Sequence, residues 1–166
     1  MNQNKHCQMT TYTPQLNAHN KAEFPPAHTA EHLLNQTMLR MFGCPRSRNT
    51  HIERKKSKIN WHLPIAPTAE QIAAVEAMMN ELIAQDLPVT SRMVEREEIP
   101  SDVSLDKLPD GLSGPLRLVS IGNYDHCVCI GAHVKTTREI GHFRITSTSY
   151  KEGDFRIVYK TGLPGD

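Results

Sequence analysis

Residues 25–43 read PPAHTAEHLLNQTMLRMFG and predict the helix around which the fold is organised. Two prolines open this stretch and a glycine closes it, which is the usual punctuation of a helix. Most of an apolar stripe comes from Leu33, Leu34, Met38, Leu39 and Met41. Because such a stripe must be buried, we expect a helix from about Ala27 to Phe42 that packs against a core.

The rest of the chain places one more helix before a series of strands. Thr68 and Gln71 form a capping-box pattern, which begins a helix that runs to about Asp86. Strand-like patterns cover Ser57–Leu63, Val89–Val94, Leu116–Ile121, Cys127–Ile130, Phe143–Thr148 and Phe155–Tyr159, and a hairpin turn at 151–154 joins the last two. Helices mainly in the first half and strands mainly in the second predict an α+β domain with a mostly antiparallel sheet and helices packed against it.

Composition limits the class of protein. The 166 residues are enough for one domain, and a net charge of +1 argues against a strongly basic, non-specific nucleic-acid binder. No apolar run is long enough to span a bilayer, and the N-terminus lacks the apolar core of a signal peptide. We expect a cytoplasmic protein with no membrane partner. Residues 1–24, rich in Asn, Gln and Thr, predict a flexible tail before a domain at 25–166.

Basic residues are concentrated in one segment. Seven basic residues and a single acid, Glu53, lie between Arg40 and Lys58. This segment is either a phosphate-binding face or a solvated loop. The candidate phosphate contacts are Arg46, Arg48, Arg54, Lys55, Lys56 and Lys58, with Lys135 and Arg138 as a second group.

Two pairs of metal-binding side chains lie about a hundred residues apart. His28 and His32 are four residues apart on the predicted helix, so both imidazoles lie on one face. Cys129 lies at the end of a predicted strand and His133 follows that strand, and Gly131 between them allows a sharp turn. Three imidazoles and one thiolate are a chemically sound set of zinc ligands. The pattern predicts a zinc site between the start of a helix and a strand–turn.

The two motifs together resemble a known family. His28-Thr29-Ala30-x-His32-Leu33-Leu34 is similar to the His-x-x-x-His motif of the editing domain of alanyl-tRNA synthetase and of its free-standing AlaX-type relatives. The segment 129–134, Cys-x-Gly-x-His-Val, is similar to that family's second motif and to a form found in the related domain of threonyl-tRNA synthetase. The segment 137–145, Thr-x-Glu-Ile-Gly-x-Phe-x-Ile, resembles the family's continuation, and the resemblance covers roughly residues 25–159.

The resemblance implies an α+β fold, a zinc ion held by His28, His32, Cys129 and His133, and hydrolysis of mischarged tRNA in trans. The expected substrates are seryl- and glycyl-tRNA(Ala), bound by the acceptor end, and no ATP is expected. This sequence departs from the family where Ala132 replaces a threonine. It also lacks the Gln-x-Gly-Ser stretch that many synthetase editing domains carry.

The catalytic residues stay open at the level of sequence. Glu31 is a chemical candidate for a general base, although an exposed helix acid is the simpler interpretation. Thr29 offers a hydroxyl either to the substrate or to the helix start. His28-x-x-Glu31-His32 also fits an inverted zinc-protease motif, which leaves Cys129 unexplained. A further alternative is a non-catalytic, zinc-stabilised module that binds tRNA or a protein partner.

Overall fold

The computed structural model describes residues 24–101, 103, 105 and 113–162, so all of the predicted tail except Phe24 lies outside the described residues. Two helices are present there, α1 (Pro25–Phe42) and α2 (Ala69–Ala84). The strands are β1 (Asn49–His51), β2 (Ser57–His62), β3 (Val89–Val94), β4 (Leu116–Ile121), β5 (Asp125–Val128), β6 (Arg144–Lys151) and β7 (Asp154–Lys160). Short 3₁₀ turns occupy Arg96–Glu98 and Thr137–Ile140.

The strands form two sheets, and each pair of neighbouring strands in them is antiparallel. A four-stranded sheet has the order β1-β2-β7-β6, and a three-stranded sheet has the order β3-β4-β5. This arrangement confirms the predicted α+β class. None of the helices in the described ranges is long and apolar enough to cross a membrane.

Both helices pack against the four-stranded sheet and share one apolar core with it. Leu33, Leu34 and Met38 of α1 are fully buried in this core together with Ile157 and Tyr159 of β7. A smaller cluster lies on the three-stranded sheet and is formed by Val94, Val103, Leu116, Leu118 and Val128.

Helix α1 is buried beyond its apolar stripe. In addition to the sheet, it contacts α2, β5 and the 3₁₀ turn at Thr137–Ile140. Its residues from Thr29 to Asn35 are all buried. The predicted stripe is wrong at its end, where Leu39 and Met41 are about 40% exposed. The helix stops at Gly43, whose φ of 68° is a left-handed conformation that favours glycine.

Three strands differ from their prediction. β1 was not predicted, because its three residues lie within the basic segment and carry no apolar alternation. β5 ends at Val128, two residues earlier than expected, so Cys129 lies in the loop that follows the strand. β6 extends to Lys151, and Glu152 and Gly153, both with positive φ, form the predicted hairpin turn to β7.

Candidate metal centre

The two predicted ligand pairs meet where α1 contacts β5 and the loop that follows it. His28 and His32 come from the first two turns of α1, and Cys129 and His133 come from that loop. One ligand atom from each of the four residues lies within 4.8 Å of the other three. The imidazole rings of His28 and His133 are stacked, with centroids 4.1 Å apart, and His32 meets both edge-on. A group of this composition can hold a metal ion.

The imidazole of His28 is oriented by the loop opposite. Its Nδ1 lies 2.9 Å from the carbonyl oxygen of Ala132 and must donate, since that oxygen has no proton to give. The proton on Nδ1 fixes the tautomer and leaves the lone pair on Nε2, which lies 3.5 Å from Sγ of Cys129. A metal-binding histidine is normally held in this way, with its second nitrogen donating to a carbonyl or carboxylate.

Thr29 positions His133. Its Oγ1 lies 2.9 Å from Nδ1 of His133 and accepts a hydrogen bond from the backbone N–H of Val134 at 3.2 Å. Thr29 is fully buried, and these two contacts link α1 to the loop that carries His133. The same loop is held from the other side by the guanidinium of Arg117, which donates to the carbonyls of Gly131 (2.5 Å) and Cys129 (3.4 Å).

A buried carboxylate faces His32 and was missed by the sequence analysis. Asp125 is 1% exposed, and its Oδ2 lies 3.5 Å from Nδ1 of His32. The guanidinium of Arg46 binds both oxygens of Asp125 at 2.5 and 3.3 Å. Burial alone would raise the pKa of Asp125, but His32 and Arg46 outweigh it and hold that pKa below its ordinary value. The one signal for Asp125 in the sequence is that it shares a strand face with the buried Cys127.

Arg46 therefore differs from the other candidate phosphate contacts. Its side chain is only 9% exposed and is used to neutralise Asp125. Burial by itself would lower the pKa of Arg46, and the Asp125 charge raises it instead. The sequence analysis expected Arg46 to contact phosphate. Its placement conflicts with that expectation, because the guanidinium is nearly buried and is bound to both carboxylate oxygens of Asp125.

Glu31 is not the exposed helix acid that the sequence suggested. It is fully buried, and its Oε1 accepts a hydrogen bond of 2.8 Å from Nδ2 of Asn35. Its other oxygen lies 3.6 Å from Nε2 of His32. Asn35 in turn accepts hydrogen bonds from the backbone N–H of Ser47 and from Nε1 of Trp61. The burial agrees with helical spacing, which places Glu31 on the same face as Leu34 and Met38; the charge of the side chain is what suggested exposure.

The remaining basic candidates lie on the surface in two places. Arg48, Arg54, Lys55 and Lys56 are exposed on or beside the β1–β2 hairpin, and Lys58 is half-buried on β2. The second group follows His133 along the chain, where Lys135 and Arg138 are exposed. Nε of Arg138 lies 3.9 Å from a carboxylate oxygen of Asp86.

The chain is similar in sequence to proteins of known families. A sequence profile described as the threonyl and alanyl tRNA synthetase second additional domain matches residues 116–158, which include Cys129 and His133. The chain is 26% identical over 137 residues to alanyl-tRNA editing protein Aarsd1-B of Xenopus laevis, covering 81% of this chain and 33% of that protein. The chain contains an AlaX-type editing domain.

Two other relatives are an alanine–tRNA ligase and a second alanyl-tRNA editing protein. An alanine–tRNA ligase from Gluconobacter oxydans is 32% identical over 154 residues, covering 84% of this chain and 17% of the ligase. Alanyl-tRNA editing protein Aarsd1 of Bos taurus is 29% identical over 137 residues, covering 81% of this chain and 30% of that protein. The chain thus spans between 17% and 33% of the length of these relatives.

Proposed function

We propose that this chain hydrolyses mischarged aminoacyl-tRNA, with seryl- and glycyl-tRNA(Ala) as substrates, and that it acts in trans in the cytoplasm. His28, His32, Cys129 and His133 would hold the zinc ion on which the reaction depends. The observation that carries the proposal is the convergence of these four side chains, from segments about a hundred residues apart, within a domain of the editing type. The domain would extend over residues 25–166.

The rate enhancement that the site must supply is modest, because an aminoacyl ester is already activated toward hydrolysis. A bound zinc ion supplies Lewis acidity toward a carbonyl oxygen or lowers the pKa of a water to about 7. The protein supplies orientation: Ala132 and Thr29 fix two of the imidazole rings, and Asp125 faces the third.

The burial pattern suggests the side from which a substrate enters. His32 and Cys129 are buried, whereas His28 and His133 are partly exposed. An acceptor end would therefore approach over the stacked pair of imidazoles. Selectivity for serine over alanine has a physical basis, because a site that hydrogen-bonds a hydroxyl leaves its own polar groups unpaired when the hydroxyl is missing.

Deacylation assays test the proposal. Wild-type protein with zinc is incubated with Ser-, Gly- and Ala-tRNA(Ala) and with Ser-tRNA(Thr), beside Cys129→Ala. Cys44→Ala is the matched control, since Cys44 is also a buried thiol but lies outside the ligand group. We expect hydrolysis of the two mischarged tRNA(Ala) species alone, lost in Cys129→Ala and kept in Cys44→Ala. No hydrolysis of any substrate by zinc-loaded protein would contradict the proposal.

A non-catalytic zinc module is the second candidate, and the ligand count favours it. Four protein ligands usually make a closed structural site, whereas a catalytic zinc keeps a position open. Unfolding upon chelation, with no ester hydrolysis in the metal-loaded state, would support this role. Glu31→Ala addresses a zinc hydrolase of another kind: loss of peptide hydrolysis would indicate the protease-like motif.

A further inference from the structure

A basic cavity lies at the start of α1, next to the candidate metal centre but outside it. Its volume is about 540 Å³, within the range of roughly 300–1,000 Å³ typical of small-ligand sites. It is lined by Phe24, Arg54, Lys55, Lys160, Thr161 and Gly162. Three of these six residues are cations and none is an acid. The cavity therefore suits an anionic ligand.

Three separate parts of the chain bring the charges together. Arg54 and Lys55 lie in the turn between β1 and β2, and Lys160 is the last residue of β7. Arg144, at the start of β6, pairs directly with Lys160 in the antiparallel register and adds a fourth cation at this end of the sheet. The cluster is thus a product of the tertiary fold and not of the basic segment alone.

These cations are not neutralised by the described part of the chain, in which no carboxylate forms an ion pair with Arg54, Lys55 or Lys160. Two acids of the described residues have other partners. Glu53 contacts His51 at 2.5 Å, and Glu76 accepts a hydrogen bond from the backbone N–H of Ile145. A phosphate entering the cavity would meet the positive charges of Arg54, Lys55 and Lys160.

Phe24 gives the cavity an apolar wall and lies four residues before His28 in the chain. The guanidinium of Arg54 lies over the Phe24 ring, 5.3 Å from its centroid. Aromatic rings and guanidinium planes are the surfaces on which unpaired bases stack. The carbonyl of Phe24 accepts the backbone N–H of His28 at 3.0 Å, so the two residues are one helical turn, about 6 Å, apart along α1.

We propose that this cavity binds the phosphate and base of the nucleotide that precedes the terminal one in the tRNA acceptor end. Lys55, Lys160 and Arg54 contact the phosphate, and the base lies against Phe24. The terminal ribose then reaches over His28, where the ester would be cleaved. This assignment rests on the proposed function, because it supposes that an aminoacylated acceptor end is the ligand.

Binding of uncharged acceptor-stem RNA tests the cavity without requiring hydrolysis. The variant Arg54→Gln/Lys160→Gln is compared with Arg92→Gln/Lys151→Gln, which removes the same charges from β3 and from the far end of the four-stranded sheet. Each contact with single-stranded phosphate contributes about 0.7 to the slope of log K against log salt. Loss of two contacts should lower the slope by about 1.4 and weaken binding roughly tenfold near 0.15 M salt.

Two further arms identify the ligand. Removing the last two nucleotides of the RNA should weaken binding to wild-type protein more than binding to the cavity variant, which has already lost the cavity contacts. CMP should compete with the RNA at the cavity, whereas inorganic phosphate competing equally well would show that the site binds phosphate without a base. Equal affinities of the cavity variant and the control variant would overturn the proposal.

The two proposals fail in distinguishable ways. If wild type deacylates mischarged tRNA and the cavity variant does so with an unchanged KM, the cavity assignment is wrong and the proposed function stands. If wild type deacylates nothing but the tenfold difference in RNA binding persists, the proposed function is wrong and the cavity remains a nucleotide site. Equal melting temperatures and zinc contents of both variants exclude a folding defect as the cause.

Discussion

Replacing Arg46 by Met should destabilise the protein strongly, because it leaves the charge of Asp125 buried without its guanidinium partner. The side chain of Arg46 is 9% exposed and that of Asp125 is 1% exposed, and both terminal guanidinium nitrogens, Nη1 and Nη2, contact the carboxylate. Removing one partner of such a buried pair costs about 3–5 kcal/mol. For a chain of this size about 1 kcal/mol corresponds to a shift of roughly 2–4 °C, so the melting temperature should fall by about 6–20 °C.

The measurement is urea unfolding followed by circular dichroism, in the presence of a chelator so that metal binding does not contribute to stability. Arg138→Met is the matched control, since Arg138 faces Asp86 at 3.9 Å but is 73% exposed. A surface pair of that kind is worth at most about 1 kcal/mol. Asp125→Asn and the double variant complete a cycle in which the double variant should cost less than the sum of the two single variants.

One result would refute the reasoning: Arg46→Met costing no more than Arg138→Met, with additive single variants. That outcome would mean that burying the charges of Arg46 and Asp125 costs little free energy, and that Asp125 is free to serve another role beside His32. A change in the urea midpoint at constant slope is required, because a change of slope would signal an altered unfolded state.

Three further predictions concern the same region. Thr29→Val should weaken zinc binding about 10–100-fold in a competition titration, because His133 loses its partner, whereas Thr29→Ser should bind as wild type does. Burial raises the pKa of Tyr159 well above 10, so its contribution to stability is present below about pH 10 and is lost above it. In Tyr159→Phe the free energy of unfolding should therefore fall less steeply between about pH 9 and about pH 11 than in wild type. The variant should also lose about 1 kcal/mol of stability, because the hydrogen bond to the carbonyl of Ala27 is gone. An unchanged dependence of the free energy of unfolding on pH would contradict this prediction. Arg117→Met should speed amide exchange in the loop at 129–133 without altering exchange in α2, since its contacts to two loop carbonyls are lost.

Much of the fold follows from local sequence patterns. The capping box at Thr68 begins α2 as predicted, and the alternation around Ile59 and Trp61 correctly predicts β2. These signals are local, since each depends on residues within one or two turns of its own element. β1 has no such signal, because its pairing with β2 is what makes it a strand.

The candidate site divides in the same way. Spacing alone selected His28, His32, Cys129 and His133, because four residues make one helical turn and a glycine allows one chain reversal. Helical spacing places Glu31 on the face of Leu34 and Met38, and its carboxylate is what suggested exposure; only the fold shows Asn35 beside it as its hydrogen-bond donor. Nor could it pair Arg46 with Asp125, which lie 79 residues apart.

The sequence by itself determined the helices, most of the strands, the four candidate metal ligands and the resemblance to the editing family, because each of these depends on the spacing of residues close together in the chain. Only the tertiary structure decided which charges are neutralised and which are left to meet a ligand. In the folded protein Arg46 is buried as the partner of Asp125, whereas Arg54, Lys55 and Lys160 line a cavity. The physical reason is that a charge is stable inside a protein only beside an opposite charge, and that partner is chosen by contacts between distant segments.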